Sequence, residues 1–436
     1  MTRRSTSAVA HSLTYLLHRA IARRRAATLG AASALAIWFG LAGSADAGLA
    51  TGTLPGDPDQ CPVTVIVRDG DPAPGGGSFD ANFFNVPGIN EAGDLAFVSR
   101  LNGTTYDHGL FVRQGDTIRL IVRGCDVGAC GDPTPAGGTY RDFIAGSVSP
   151  PVINDSGDIV FTARINGGPT EVGHFLYRAA TGVIEKVVAA GDPSPRGGVI
   201  DVLGGATLNN AGDVVFGAWD VSASSPYLET YLLRWRDDQL EKIIAPGDAV
   251  PGGVAAEVGG SHFIVDGFSF LVSPAPFLGE DGRILVNVES SGRHGILEIL
   301  PDSNRWIVRS GDPAPGGGTL SVFESAPLRG GLYTFSSDSV AGIFTGTPGE
   351  WQSVWRDGDT VDGAPVTGFL RLSGLLPVQD AGGQITSVLE VEPTPGFFAD
   401  RLVRWNAADG LFTLTTSGDP APGGGTMALI NSFTQV

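Results

Sequence analysis

The sequence predicts an all-β fold, a β-propeller of about six four-stranded blades. Three observations lead there. A punctuated repeat of roughly 60 residues runs along the chain, each repeat holds four short strand patterns, and no helical period follows Ala47. A four-stranded antiparallel unit cannot bury both faces alone, and stacking units around an axis solves this. The alternatives are seven blades with one incomplete, or another tandem β-repeat array. The rungs of a β-solenoid are usually shorter.

The repeat is visible letter by letter. Gly70-Asp71-Pro72-Ala73-Pro74-Gly75-Gly76-Gly77 recurs at Gly311 to Gly318 and at Gly418 to Gly425, with looser copies from Gly131, Gly191, Gly247 and Gly358. The seven starts lie 61, 60, 56, 64, 47 and 60 residues apart. A second signature falls between them: Asn90-Glu91-Ala92-Gly93-Asp94-Leu95-Ala96-Phe97, then Asn154 to Phe161 and Asn209 to Phe216. It decays to Gly279-Glu280-Asp281-Gly282 and Gln379-Asp380-Ala381-Gly382, and in the fifth unit only an apolar strand around Leu332 to Phe335 survives.

Each unit then reads in order. After the glycines comes a short apolar strand, Phe79 to Val86 in the first unit. The NxxG segment is a hairpin loop: Asn bonds its own backbone, and Gly supplies a positive φ. An alternating second strand follows, such as Asp94 to Leu101. The third ends in aromatics or Arg, as in Leu110-Phe111-Val112-Arg113 and Phe175-Leu176-Tyr177-Arg178. The fourth is β-branched (Ile118 to Val122, Val183 to Val188, Leu240 to Ile244) and runs into the next GDPxP. Thr64 to Arg68 and Thr426 to Phe433 are extra end strands, which either close the ring or are remnants of a seventh blade.

The NxxG copies resemble the NxxGxxxAF tandem-repeat family of exported bacterial proteins, over roughly Thr64 to Val436. Asn90 to Phe97 matches that pattern letter for letter, and the next two copies relax only its Ala, to Val160 and Val215. The resemblance implies a secreted or surface protein and brings no catalytic residues with it.

Charge and composition narrow the function. Gly (64) and Pro (29) together make about a fifth of the 436 residues, largely the punctuation of the two motifs. The chain carries 28 basic and 46 acidic residues, net −18. Arg3, Arg4, Arg19, Arg23, Arg24 and Arg25 precede an apolar run and Ala45-Asp46-Ala47. This reads as a signal peptide over 1–47, with an uncleaved anchor as the alternative and Arg24-Arg25 admitting twin-arginine export. A linker over 48–63 and the propeller over 64–436 follow. Without the leader's six bases and one acid, 22 basic and 45 acidic residues remain, net −23. Such a surface excludes nucleic acid and repels other copies, so a periplasmic, extracellular or surface-located monomer without a membrane span is expected. Export permits a disulfide, and Cys125 with Cys130, bracketing four inserted residues, is the candidate pair, leaving Cys61 over. Three unpaired thiols are the alternative.

Candidate sites are few. Asp71, Asp132, Asp192, Asp248, Asp312, Asp359 and Asp419 would ring one mouth of the central channel. Carboxylates and loop carbonyls are hard oxygen ligands, so Ca2+ is the one cofactor to consider, or a docking rim. The competing reading is that each Asp caps its own turn. Asp357 to Gly363 has a loose calcium-loop look but lacks the twelfth-position Glu. His108 and His174 both open a third strand, which points to a shared structural slot. His262 lies in the longest departure from the repeat, Val254 to Leu278, where it and Asp266 could form an acid–base pair. The tryptophans either stack on sugars or pack between blades. Nothing matches a nucleophile elbow, P-loop or dinucleotide fingerprint after the leader. The expectation is an exported non-catalytic propeller binding an extracellular protein or glycan; the alternative is a glycan hydrolase or lyase with acids at the channel mouth.

Overall fold

The computed structural model describes residues 51–420, apart from 54–61, 85–86, 129, 144–149, 221–228, 259–260, 266–267, 273–275, 330–331, 338, 370–377, 380–382 and 395–396. The leader, Cys61, Asp266 and the strand expected at Thr426 to Phe433 lie outside the described residues.

The chain is an all-β propeller with six four-stranded antiparallel blades among the described residues. Blade 1 is Ser78–Phe84, Leu95–Asn102, His108–Gln114 and Thr117–Gly124. Blade 2 is Thr139–Asp142, Ile159–Asn166, Val172–Arg178 and Val183–Ala189. Blade 3 is Val202–Leu208, Val214–Asp220, Glu229–Arg236 and Gln239–Ile244. Blade 4 is Glu257–Val258, Ile284–Ser290, Arg293–Ile299 and Asn304–Arg309. Blade 5 is Val322–Arg329, Leu332–Ser337, Gly342–Thr347 and Glu350–Arg356, and blade 6 is Ala364–Phe369, Ile385–Thr394, Phe397–Asn406 and Gly410–Thr416. Strand order within every blade is chain order, as short hairpin loops dictate.

First strands converge. In blades 1, 2, 4 and 6 a short second piece continues the first strand: Gly88–Ile89, Val152–Ile153, Phe277–Leu278 and Val378–Gln379. Gly88–Ile89 lies against Val152–Ile153, which lies against Val202–Leu208, and the series continues through Phe277–Leu278 and Val322–Arg329 to Val378–Gln379. First strands therefore face the axis and fourth strands form the rim.

The core sits between blades, not within them. Leu110 and Val112 pack with Phe161 and Phe175 of blade 2, while Phe111 between them packs with Phe79 and Phe97 on the other face. Val160 and Leu176 face Val214 and Phe216 of blade 3, and the same alternation joins blades 3 to 4, 4 to 5 and 5 to 6. Second and third strands are thus buried on both faces, which is why they read as apolar runs and not as clean alternation. Burying one such Phe contributes about 2–3 kcal/mol. Stacked pairs Phe97–Phe111, Phe161–Phe175 and Phe335–Phe344, with centroids 5.5, 5.7 and 5.7 Å apart, give the Phe of the second signature its partner on the third strand.

All six rim strands carry a β-bulge at one equivalent place. The pairing steps over Ile121, Val187, Ile243, Ile307, Val354 and Leu414. The extra residue lets two consecutive side chains, such as Val187 and Val188, both turn inward. Its sequence trace is an apolar pair three residues before Gly-Asp in most units, for example Val187-Val188 before Gly191.

Two expectations change. Only Pro62–Thr64 is strand where Thr64 to Arg68 was expected, and it pairs with Thr51–Thr53. Val65 and Val67 instead pack on or near blade 1's apolar cluster as irregular chain. The histidine slot is also different. His108 pairs in register with Arg100 and His294 with Glu289, equivalent positions, whereas His174 pairs with Thr162, two residues further along its strand. The misreading came from counting from the strand's start; the aromatic pairing sets the register.

Candidate functional site

The five inner GDPxP-type loops, starting at Gly131, Gly191, Gly247, Gly311 and Gly358, join a rim strand to the next blade's axial strand, at the end of the propeller shared with the loops between second and third strands. Gly77 shows the closeness of that approach: a Cβ there would lie 2.4 Å from the Asn102 carbonyl oxygen. Every one of the seven aspartates caps its own turn. Asp71 Oδ2 accepts the backbone N–H of Arg68, Asp192 that of Ala189, Asp248 that of Ala245, and Asp312 that of Arg309. Asp359 takes the N–H of Arg356 and Asp419 that of Thr416. Asp132 accepts from Arg123 across the inserted loop. These bonds span 2.7–2.9 Å.

Four of these carboxylates are also neutralised. Lys186 reaches Asp192 at 3.0 Å, Lys242 reaches Asp248 at 2.7 Å, Arg293 reaches Asp312 at 2.8 Å and Arg123 reaches Asp132 at 3.4 Å. Lys186 and Lys242 are the chain's only lysines. Among the described residues no cluster of three His, Cys, Asp or Glu side chains could hold a metal ion. The Asp357 to Gly363 segment folds as a small hairpin, Thr360 and Val361 pairing with Pro365 and Ala364, and Asp362 faces Arg401 at 3.5 Å.

Cys125 and Cys130 are bonded, with Cα atoms 5.6 Å apart. The closed loop presents Asp126 to His108 Nε2 at 3.1 Å and to Arg100 at 2.9 Å. Burial works to raise the Asp126 carboxyl, but the interactions with His108 and Arg100 outweigh it and hold it below its ordinary value. Asn166 of blade 2 donates to the Cys125 carbonyl at 2.9 Å, tying the loop across the blade boundary. Val127 at its tip is 82% exposed.

His262 sits in the strand Ser261–Val265, which pairs with Phe268–Val272; its proposed partner Asp266 is outside the described residues. Trp219, Trp235, Trp355 and Trp405 are buried between strands, and Trp306 donates its indole N–H to the Pro251 carbonyl. Trp351, half-buried, sets its ring edge-on to Phe335 at 4.9 Å.

The opposite end of the barrel holds a constellation that no single motif announced. Asn90 Oδ1 accepts the Asp94 N–H at 2.8 Å, while its Nδ2 donates to the Asn154 carbonyl of blade 2 at 3.0 Å. Asn154 repeats this toward Asp158 and Asn209. A parallel chain runs through the next position. The Glu91 N–H donates to Asp155, the Asp155 N–H to Asn210, and the Asn210 N–H to Glu280, at 3.0, 2.8 and 2.7 Å. The turn Asn was legible in the sequence, but the hand its amide extends to the next blade was not. Gly93, Gly157 and Gly212 close these turns at φ +81°, +81° and +85°.

Between blades 4 and 5 lies a buried carboxylate. Glu298, fully buried, meets Arg283 at 2.9 Å, Arg305 at 2.5 Å and the Tyr333 hydroxyl at 2.5 Å. Desolvation, with Glu298 adding to it, raises the Tyr333 hydroxyl above its ordinary value. Asp213 forks onto Arg236, and Asp142 onto Arg164. His174, buried against Phe216 of blade 3 and bonded to Thr162 at 2.9 Å, is pushed down to about 3 by desolvation.

Residues 40–226 match a family model described as a family of unknown function (DUF7453). No curated protein matches the chain. Among solved structures, it is similar to a Trypanosoma rangeli sialidase in complex with the inhibitor DANA, at 12% identity over 82% of this chain and 58% of that one, TM-score 0.34. It is also similar to the β-propeller domain of a trilobed protease from Pyrococcus furiosus, at 11% identity over 76% and 95%, TM-score 0.32. The polysaccharide lyase Uly1 aligns at 9% identity over 78% of each chain, TM-score 0.39. No helix among the described residues is long and apolar enough to cross a membrane.

Proposed function

We propose that the chain is an exported, non-catalytic propeller that binds a cell-surface or extracellular partner through its loops. One observation carries the reading: all seven repeated aspartates are spent on their own turns. A carboxylate that holds a backbone N–H and, in four cases, a cation is a structural cap, and general acid–base work needs one free to exchange protons with a substrate. Glycosidases need two such groups facing a common cleft. The most buried acids, Glu298, Asp213 and Asp142, are likewise committed to arginines. Export is supported by the basic and apolar leader and by the resemblance of the repeats to exported NxxGxxxAF proteins. What differs from blade to blade is the loops, such as the disulfide-closed 125–130 segment, and selectivity resides there.

The test pairs binding with turnover. The exported chain is incubated with a panel of surface polysaccharides and envelope proteins, and retention and new reducing ends are both measured. Saturable retention without product is expected. Product that disappears in an Asp→Asn variant of a GDPxP loop would overturn the reading.

A further inference from the structure

We propose that the boundary between blades 3 and 4 carries a binding site for an oxyanion group (sulfate, phosphate or carboxylate), formed by Ser290, Arg293 and Arg309. The three side chains reach it from the second, third and rim strands of blade 4. Ser290 pairs in register with Arg293, and Gly295 with Arg309. All therefore share the face on which Val286, Val288 and Leu297 pack against blade 3. Gly295 makes the crossing possible: a Cβ there would stand 3.0 Å from Arg309 Cγ and 3.1 Å from the Trp306 ring. Arg309 thus crosses the third strand, 4.6 Å from the centre of the Trp306 ring, and donates to the Ser290 carbonyl at 2.9 Å.

The charges here do not balance. Among the described residues Asp312 is the one carboxylate that either guanidinium meets: it takes Arg293 at 2.8 Å and the Arg309 backbone N–H at 2.8 Å. Glu257 and Glu289 pair in register on the opposite face, by strand alternation. Burial, joined by the Arg293 cation, presses the Arg309 guanidinium below its ordinary value, and Asp312 offsets this only in part. Two polar groups are also left over. Arg309 Nε and the Ser290 hydroxyl are buried without a hydrogen-bond partner, the latter on a residue 1% exposed. Buried donors are rarely left so, and an oxyanion accepts from both.

Blade 5 shows how such an arginine is closed off elsewhere. Arg356 pairs with Gly342 as Arg309 does with Gly295, and it donates to the Pro315 and Gly317 carbonyls of the preceding GDPxP loop at 2.7 and 3.2 Å. Before blade 4 that loop is reduced to a hairpin of Ala249–Val250 with Gly253–Val254, and its Pro251 carbonyl accepts the Trp306 indole instead. Gly253 leaves the Ser290 hydroxyl facing bare backbone, since a Cβ there would stand 2.9 Å from the Oγ.

Titration calorimetry of the full mature chain with inorganic sulfate and phosphate, in chloride at constant ionic strength, tests the site. Saturable binding is expected, weakened roughly tenfold in Arg309→Gln and about threefold in Ser290→Ala. Ser290→Ala should keep the wild-type melting temperature in chloride, because it removes a hydroxyl with no internal partner. Retention of dextran sulfate and polygalacturonate separates a polymer-borne group from a free ion, and this arm alone rests on the binding function proposed above. Retention that falls in both variants assigns the site to a polysaccharide; inorganic binding without retention assigns it to the free ion. No saturable binding of any of the four probes overturns the proposal. Binding or retention that both variants leave unchanged also overturns it, and leaves the general binding function standing on other loops.

Discussion

The side-chain amide of Asn90 donates to the main-chain carbonyl of Asn154, one blade on, while its own oxygen closes the turn at Asp94. One residue type at one repeated position thus serves both the hairpin and the seam. Asn154 does the same toward Asn209 and is itself buried. Asn154→Ala should strip partners from the Asp158 N–H and the Asn209 carbonyl and cost about 2–4 kcal/mol. Urea unfolding checks this. Asn210→Ala, at an exposed neighbouring position, should cost less than half as much.

The turn aspartates make a metal-free prediction. Adding Ca2+ or a chelator should leave the melting temperature unchanged, because the carboxylates already hold N–H groups and cations. A clear upward shift with Ca2+ would revive the cation reading. Asp192→Ala should cost about 1 kcal/mol, and Asp192→Asn less, since the amide oxygen can still accept the Ala189 N–H.

His174 links stability to pH. Desolvation holds it neutral in the fold down to about 3, against 6.5 for the free side chain. The unfolded chain therefore takes up a proton first as pH falls. Its contribution is fully present above about 6.5 and is lost between there and about 3, at up to roughly 1.4 kcal/mol per pH unit. His174→Gln should flatten that part of a stability profile measured by denaturant titration at successive pH values.

Glu298 is the third kind of seam. Glu298→Ala would leave Arg283 and Arg305 facing each other without their shared anion, with the Tyr333 hydroxyl stranded beside them. A loss on the order of 3 kcal/mol is expected. Arg305 is 54% exposed, so Arg305→Ala should cost about 1 kcal/mol or less. Calorimetry of the two variants separates them.

Turn chemistry made the blades readable. Gly93, Gly157 and Gly212 announce their positive φ, and the Phe97 and Phe111 patterns announce paired strands. The caps were readable too, as one of two roles for Asp71 and its copies. What stayed hidden needed register. The doublet Val187-Val188 is plain in the sequence, but only the pairing of His174 with Val188 and of Phe175 with Lys186 reveals a bulge. Register likewise moved His174 out of His108's slot. In the Glu298 cluster only register shows Glu298 and Arg305 as cross-strand partners within blade 4, and Tyr333 joins them from blade 5 without any shared motif.

The repeated bulge has an effect on register as well as on shape. Tandem strands of similar apolar pattern face a hazard of sliding by a residue. A kink at Ile121, Val187, Ile243, Ile307, Val354 and Leu414 admits only one alignment per hairpin. Each unit therefore carries its own ruler.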